Sequence, residues 1–241
     1  MSRKRMKKVE KMDGTAGQDR QEAERSPRME ARRAAILEAA AEVFFEMGFE
    51  RANLGAIVRR SGGSLSTLYQ LFGNKEGLFE AMVTERCTDV MKALAEPDVP
   101  LRDPCTTLCG IAHAFMGVIL RPDAQGLWRI IMSEGIKFPS LPEVYFREGP
   151  DKLIAHLSEY LVVLHRAGVA DVPNPMDAAR SFCMLVHSDL YYRVVTGMQP
   201  VPDDAALADH IRGAVAMFWR IIMPAGGGKT CHPDDISPSR G

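Results

Sequence analysis

The stretch from Asn53 to Phe72 restricts the fold more than any other part of the chain. Leu54, Ile57 and Val58 fall on one helical face that Asn53 can cap, and Ser61-Gly62-Gly63 stops the pattern after roughly two turns. Ser64 then caps a third, very short helix running to Phe72, with Leu68 and Phe72 turned towards a small core. Ser66, Thr67, Tyr69 and Gln70 are left on the outer side.

Longer amphipathic segments flank this pair. Ahead of it, Ser26-Pro27 supplies a hydroxyl for the N-cap and a proline for the first helical position. Ile36, Ala40, Val43, Phe44 and Met47 then recur at helical spacing, and Gly48 closes the helix. After the pair, Gly73-Asn74 breaks the chain, and Leu78, Met82, Glu85 and Val90 to Leu94 mark a longer fourth helix. Two short helices joined by a glycine-containing turn between longer ones follow the helix-turn-helix plan, whose second short helix enters the major groove of DNA. Small hydroxyls at the start of that helix allow close approach to phosphates and base edges.

Glu96-Pro97 to Pro104 is a proline-containing connection and the expected domain boundary. Beyond it, helical patterns run over Asp103 to Leu120, Asp123 to Glu134, Leu141 to Arg166, Pro175 to Val195 and Asp203 to Ile222. No β-alternation of useful length and no internal repeat occurs, so the expected fold is all-α, with about nine helices. Residues 1–25 are expected to be a disordered basic arm, 26–96 the helix-turn-helix domain with its connecting helix, 97–223 a larger helical domain, and 224–241 a disordered tail. The cations of Arg3 to Lys11 admit two readings, contact with a phosphate backbone or minor groove, or a solvated tail.

With 241 residues, 46% of them hydrophobic, the chain can bury a sizeable core. A net charge of −1 argues against indiscriminate coating of nucleic acid. No apolar run approaches the ~20 residues of a membrane span, and no hydrophobic segment follows the basic start before Arg32. A cytoplasmic protein with no membrane partner is therefore expected. Five cysteines without a CxxC pair suggest reduced thiols, and neither a cofactor nor a metal is expected.

Two other functions compete with DNA binding. An enzyme is disfavoured because no phosphate loop, HExxH motif or nucleophile elbow occurs and the six histidines are scattered. His187 and Tyr191 share a helix face, but without a nucleophile or metal set they carry no chemistry alone. A thiol-based redox sensor is the second rival, since Cys105 and Cys109 lie four apart on one helical face.

Arg33 to Met82 resembles the DNA-binding domain of TetR-family regulators. The resemblance rests on Ile36-Leu37-x-Ala39-Ala40, Phe44, Gly48-Phe49, Ile57, Gly62, Thr67-Leu68-Tyr69, Phe72 and Lys75-Glu76. It implies a three-helix DNA-binding domain on a connecting helix, attached to a helical ligand-sensing and dimerisation domain. Carried over position by position, Asn53, Ser64, Thr67, Tyr69 and Lys75 are expected near phosphates, and Leu65, Ser66 and Gln70 near base edges. Gly63 stands where the family usually has valine, and Leu71 where it often has His or Tyr. Trp128 to Gly135, Phe138-Pro139-x-Leu141-Pro142-Glu143, Tyr145-Phe146 and Gly149-Pro150 are similar to the AefR-like subgroup of TetR C-terminal domains. That subgroup is associated with efflux or stress genes, and the similarity names no ligand.

A small-molecule effector needs aromatic, Met and polar side chains converging between helices. The candidates are His113, Phe115, Met116, Trp128, Met132, Glu134, Phe138, Phe182 and His187, each with ordinary core packing as its alternative. The resemblance implies a homodimer through the last two helices, with Phe182, Val186, Leu190, Val215, Phe218, Trp219 and Ile222 as interface residues; the alternative is that they seal the monomer core. A two-fold dimer predicts a near-palindromic double-stranded operator. The expected mechanism is repression relieved when a ligand moves the helix near Thr107 to Ile119 against the fourth helix, with activation left open.

Overall fold

The computed structural model describes residues 6–94 and 103–224, with side chains over 27–88 and 103–224. Among the described residues there are ten helices and no strand. They are α1 (Met6–Arg51), α2 (Leu54–Ser61), α3 (Leu65–Phe72), α4 (Lys75–Leu94), α5 (Pro104–Ile119), α6 (Pro122–Glu134), α7 (Ser140–Glu148), α8 (Pro150–Arg166), α9 (Pro175–Val195) and α10 (Asp204–Ile222). The all-α expectation holds. One expected helix, Leu141 to Arg166, is two, because the chain leaves helical geometry at Gly149 and Pro150 restarts it.

The chain divides into two compact units between Met82 and Val83. This division falls inside α4 rather than at 96–97, because Leu78, Phe79 and Met82 are buried with the first unit's core. The expected connection itself lies largely outside the described residues, as does the tail from 225 onwards. The start of α1 differs from the sequence expectation. The helix runs from Met6 through Ser26-Pro27, so the basic arm is helical over most of its length, consistent with the strong helix propensity of its Lys, Glu, Gln, Arg and Met residues. Gly48 does close the regular helix, with φ 78° and ψ 166°.

In the first unit Ile36, Phe44, Phe49, Ile57, Leu68, Leu78 and Phe79 have at most 1% of their surface exposed. Phe44, Phe49 and Phe79 form a three-ring centre with centroids 5.4 to 5.6 Å apart. In the second unit, Leu108 and Met116 of α5, Leu157, Leu161 and Leu164 of α8, Phe182 and Val186 of α9, and Ile211 and Val215 of α10 share one core. Three of these helices start on side-chain caps, where Asp103 accepts from Thr106 N–H, Asn174 from Asp177 N–H and Asp203 from Ala206 N–H, whereas α8 starts on Pro150 without one. No single helix among the described residues is long and apolar enough to cross a membrane.

Candidate nucleic-acid interface and effector region

The two short helices of the first unit are fixed at their ends. Asn53 Oδ1 accepts the Ala56 N–H at 2.8 Å, starting α2, and Gly62 ends it in the left-handed region at φ 70°. Arg32 reaches across from α1 and donates to the Ser61 and Gly62 carbonyls at 3.1 and 3.0 Å. Arg60 makes a two-pronged bond to Glu46 at 3.0 Å on the exposed side.

Ser64 Oγ accepts the Thr67 N–H at 3.1 Å and lies 2.9 Å from Thr67 Oγ1 and 3.2 Å from Ser66 Oγ. The hydroxyls therefore gather at the start of α3, where backbone N–H groups also point outward. Leu68 is fully buried, while Leu65 and Tyr69 are 45% and 52% exposed and Ser66 and Gln70 are exposed beside them. Positions 65, 66, 69 and 70 share one helix face, so a short helix anchored by one leucine presents an apolar, a hydroxyl, a phenolic and an amide side chain outward. Thr67 is half-buried.

Lys75 does not fit the phosphate role expected of it. Its ammonium donates to the carbonyls of Phe49, Glu50 and Ala52 at 2.8, 3.0 and 3.0 Å and sits 4.7 Å from the centre of the Phe49 ring. An ammonium has three N–H donors, and all three serve the C-terminal end of α1. Beside it, Asn74 Oδ1 accepts the Gly77 N–H at 2.7 Å, and a Cβ at Gly77 would stand 2.2 Å from the Phe72 carbonyl oxygen. Lys75, Arg32 and Gly77 thus hold α3 in place, a role that sequence reasoning missed.

In the second unit the effector candidates do not all converge. Met116 and Phe182 are core residues, and Phe115 packs partly buried against that core. His113 and Met132 face solvent. Glu134 and Phe138 are half-buried around the end of α6, with the Lys137 ammonium 5.7 Å from the Phe138 ring centre. Trp128 and His187 are brought together through Tyr191, whose ring centre lies 6.2 Å from Trp128 and 4.3 Å from His187.

The residues expected at the dimer interface seal the monomer instead. Phe182, Val186, Val215, Phe218, Trp219 and Ile222 are each at most 3% exposed and Leu190 packs against the same core. The reason is that α9 and α10 carry apolar residues on more than one side, and the fuller stripe is used by their own chain. The apolar residues they leave exposed include Met184, Met217 and Ile221, at 60%, 55% and 66%.

The redox pair also fails. Cys105 is disulfide-bonded, against the expectation of reduced thiols, while Cys109 is a separate free thiol. Side chains four apart on a helix stand ~5–6 Å apart at Cβ, too far for a bond that needs ~3.8 Å. Burial pushes the Cys109 thiol up to about 11, opposite to what a reactive thiol requires.

Residues 36–82 match the family of bacterial regulatory proteins named tetR, and residues 106–221 match the C-terminal domain of AefR-like transcriptional repressors. The chain belongs to the TetR family. The A-factor receptor protein of Streptomyces griseus is 28% identical to it over 207 residues. That match covers 84% of this chain but 64% of the receptor, so the chain spans a little under two thirds of this relative's length. Among solved structures, the flavonoid-responsive regulator FrrA superposes with a TM-score of 0.69 at 26% identity, covering 80% of this chain and 97% of FrrA. A TetR-family regulator from Mesorhizobium loti, at 20% identity and a TM-score of 0.67, covers 82% of this chain and 99% of its own and supports the fold alone.

Against the TetR pattern, Gly63 is not enforced by space. A Cβ there would meet Ser61 Oγ at 3.5 Å and the Arg32 guanidinium carbon at 3.6 Å, ordinary contact distances. Leu71 is half-buried.

Proposed function

We propose that this TetR-family chain is a homodimeric repressor that binds a near-palindromic operator through α3 and leaves it when a small molecule binds the second unit. The observation that carries the reading is the outward face of α3: Leu65, Ser66, Tyr69 and Gln70 exposed around a fully buried Leu68. Gln70 suits an adenine edge, Tyr69 and the helix start suit phosphates, and Leu65 suits a thymine methyl group. Residues 26–96 form the DNA-binding domain with its connecting helix, and 97–223 the sensing and dimerisation domain. The protein acts in the cytoplasm, where its operator is.

Dimerisation uses the outer sides of α9 and α10, with Met184, Met217 and Ile221 meeting their counterparts across a two-fold axis. Ligand release requires tighter binding to the DNA-incompetent arrangement, with a coupling of ~1 to 3 kcal/mol. A handle for this exists within the second unit, where Arg86 of α4 bonds Asp123 of α6 at 2.6 Å. Burial opposes ionisation of Asp123, but its bond to Arg121 and the charges of Arg121 and Arg86 outweigh it and hold its carboxyl below the usual range. Movement of α5 and α6 on ligand binding is passed to α4 through this pair. One relative is named a receptor, for A-factor, and FrrA is named flavonoid-responsive, which supports a ligand-responsive reading here.

Selection of bound fragments from the source genome, followed by gel-shift titration, tests the reading. Enriched fragments sharing a near-palindrome are expected; recovery of fragments with no common sequence would overturn it. Met184→Glu with Ile221→Glu is expected to yield monomers in size-exclusion chromatography and to abolish tight operator binding.

A further inference from the structure

A continuous row of rings crosses α6, α7 and α9. Phe146 lies 5.4 Å from Tyr145, Tyr145 5.7 Å from Trp128, Trp128 6.2 Å from Tyr191, Tyr191 4.3 Å from His187, and His187 5.0 Å from Tyr192. The neighbouring core is mainly aliphatic, so this concentration is local. The row runs from interior to surface: Tyr191 is buried, Trp128, Tyr145 and His187 are half-buried, and Phe146 and Tyr192 are exposed.

Two costly features sit next to each other in this row. His187 Nδ1 is buried without a hydrogen-bond partner, which proteins rarely tolerate without a reason. Burial also pulls the imidazole below its ordinary pKa, so the ring is neutral at pH 7. The next residue, Ser188, has φ 41°, the only positive value outside glycine among the described residues, and it kinks α9. The kink has its own supports: Ser188 Oγ accepts the Leu190 N–H at 3.3 Å, and His210 Nε2 lies 2.7 Å from the Val186 carbonyl oxygen. Strain and an unsatisfied polar atom at adjacent positions are a pattern found at binding sites.

We propose that this row is the binding site for a planar aromatic ligand bearing a hydroxyl group, stacked among Trp128, Tyr145 and Tyr191 with its hydroxyl on His187 Nδ1. A neutral imidazole presents either a lone pair or an N–H at Nδ1, and a hydroxyl can donate or accept, so it satisfies either tautomer. An aliphatic ligand forgoes the ring stacking. A carboxylate, which only accepts, matches only the tautomer with a proton on Nδ1. The inference deepens the ligand-responsive reading by naming the chemistry of the effector.

The test is isothermal titration calorimetry of the full-length chain against 2-naphthol, naphthalene and 2-naphthoate. The wild type is expected to bind 2-naphthol at one per chain and at least tenfold more tightly than either of the others. His187→Phe should cut the advantage over naphthalene below threefold while leaving naphthalene binding nearly unchanged; His187→Gln should retain part of it. Trp128→Leu should weaken both ligands about tenfold, and circular dichroism checks that each variant is folded. No binding of 2-naphthol by the wild type, or a hydroxyl advantage that survives His187→Phe, overturns the proposal; the former would mean that only water meets Nδ1. Gel shifts on the same protein separate the two readings. DNA binding without naphthol binding removes this site alone, whereas naphthol binding through His187 without DNA binding removes the regulator reading alone.

Discussion

The two units are held together in different ways. In the first, α2 and α3 have eight residues each, too few to be stable alone, and their ends are met by side chains from elsewhere. Asn53 and Ser64 start them, while Arg32 closes α2 and Lys75 closes the end of α1 that leads into them. In the second unit, α5, α8, α9 and α10 have 16 to 21 residues and are fixed along their lengths by a shared aliphatic core. The difference shows where to look for function. A helix fixed at its ends keeps its outer face for contact, as α3 does. In a unit fixed by apolar stripes, a polar exception carries the information, and His187 beside the Ser188 kink is one such exception.

Substitutions at helix ends in the first unit should cost more than their exposure suggests. Gly77→Ala is expected to have the largest effect, about 3 kcal/mol, because its Cβ would stand 2.2 Å from a backbone oxygen. Urea unfolding measures it, and a loss below ~1 kcal/mol would show that α3 is free to shift. Lys75→Met should cost about 2 kcal/mol, since it leaves three carbonyls without their charged donor. Unchanged stability with weakened DNA binding would restore the phosphate role.

Changes on the outer face should do the reverse. Tyr69→Phe is expected to lower operator affinity by about 1 kcal/mol, roughly fivefold, with no change in the melting temperature. Gly63→Ala should stabilise the first unit by ~0.5 kcal/mol, since the space is open and the unfolded chain loses freedom. Destabilisation would mean that the turn needs glycine after all. The smallest effect concerns pH in the second unit. Burial first, and Arg212 second for His113, hold His113 and His187 below 6.5, so their unfolded forms bind protons more readily. Stability is complete above about pH 6.5 and declines as the pH falls below it, and replacing both with glutamine should flatten melting curves compared between pH 7.5 and 5.5.

Much of the first unit was legible because its signals are local. Asn53, Ser64, Gly48 and Gly62 act within four residues of themselves, and Leu68 declares its inward face by helical spacing. Lys75 and Arg32 escaped because their partners lie more than twenty residues away along the chain. The interface residues escaped for another reason. Periodicity identifies an apolar stripe but not whether its own chain or a second copy covers it, so Phe182, Val215 and Phe218 stand out as interface candidates and Met184 and Met217 do not. His187 and Tyr191 are visible as neighbours on one helix face, but neither the orphaned Nδ1 nor the kink at Ser188 is announced by the local sequence.

The account stands or falls on what the outer face of α3 does. Fluorescence anisotropy with a genome-selected duplex, comparing wild type with Gln70→Ala, tests it at single-residue level. A loss of about 1–3 kcal/mol on the selected duplex, together with relaxed preference at one base position in each half-site, is the predicted result. Equal affinity of the two proteins for the selected and scrambled duplexes would contradict it.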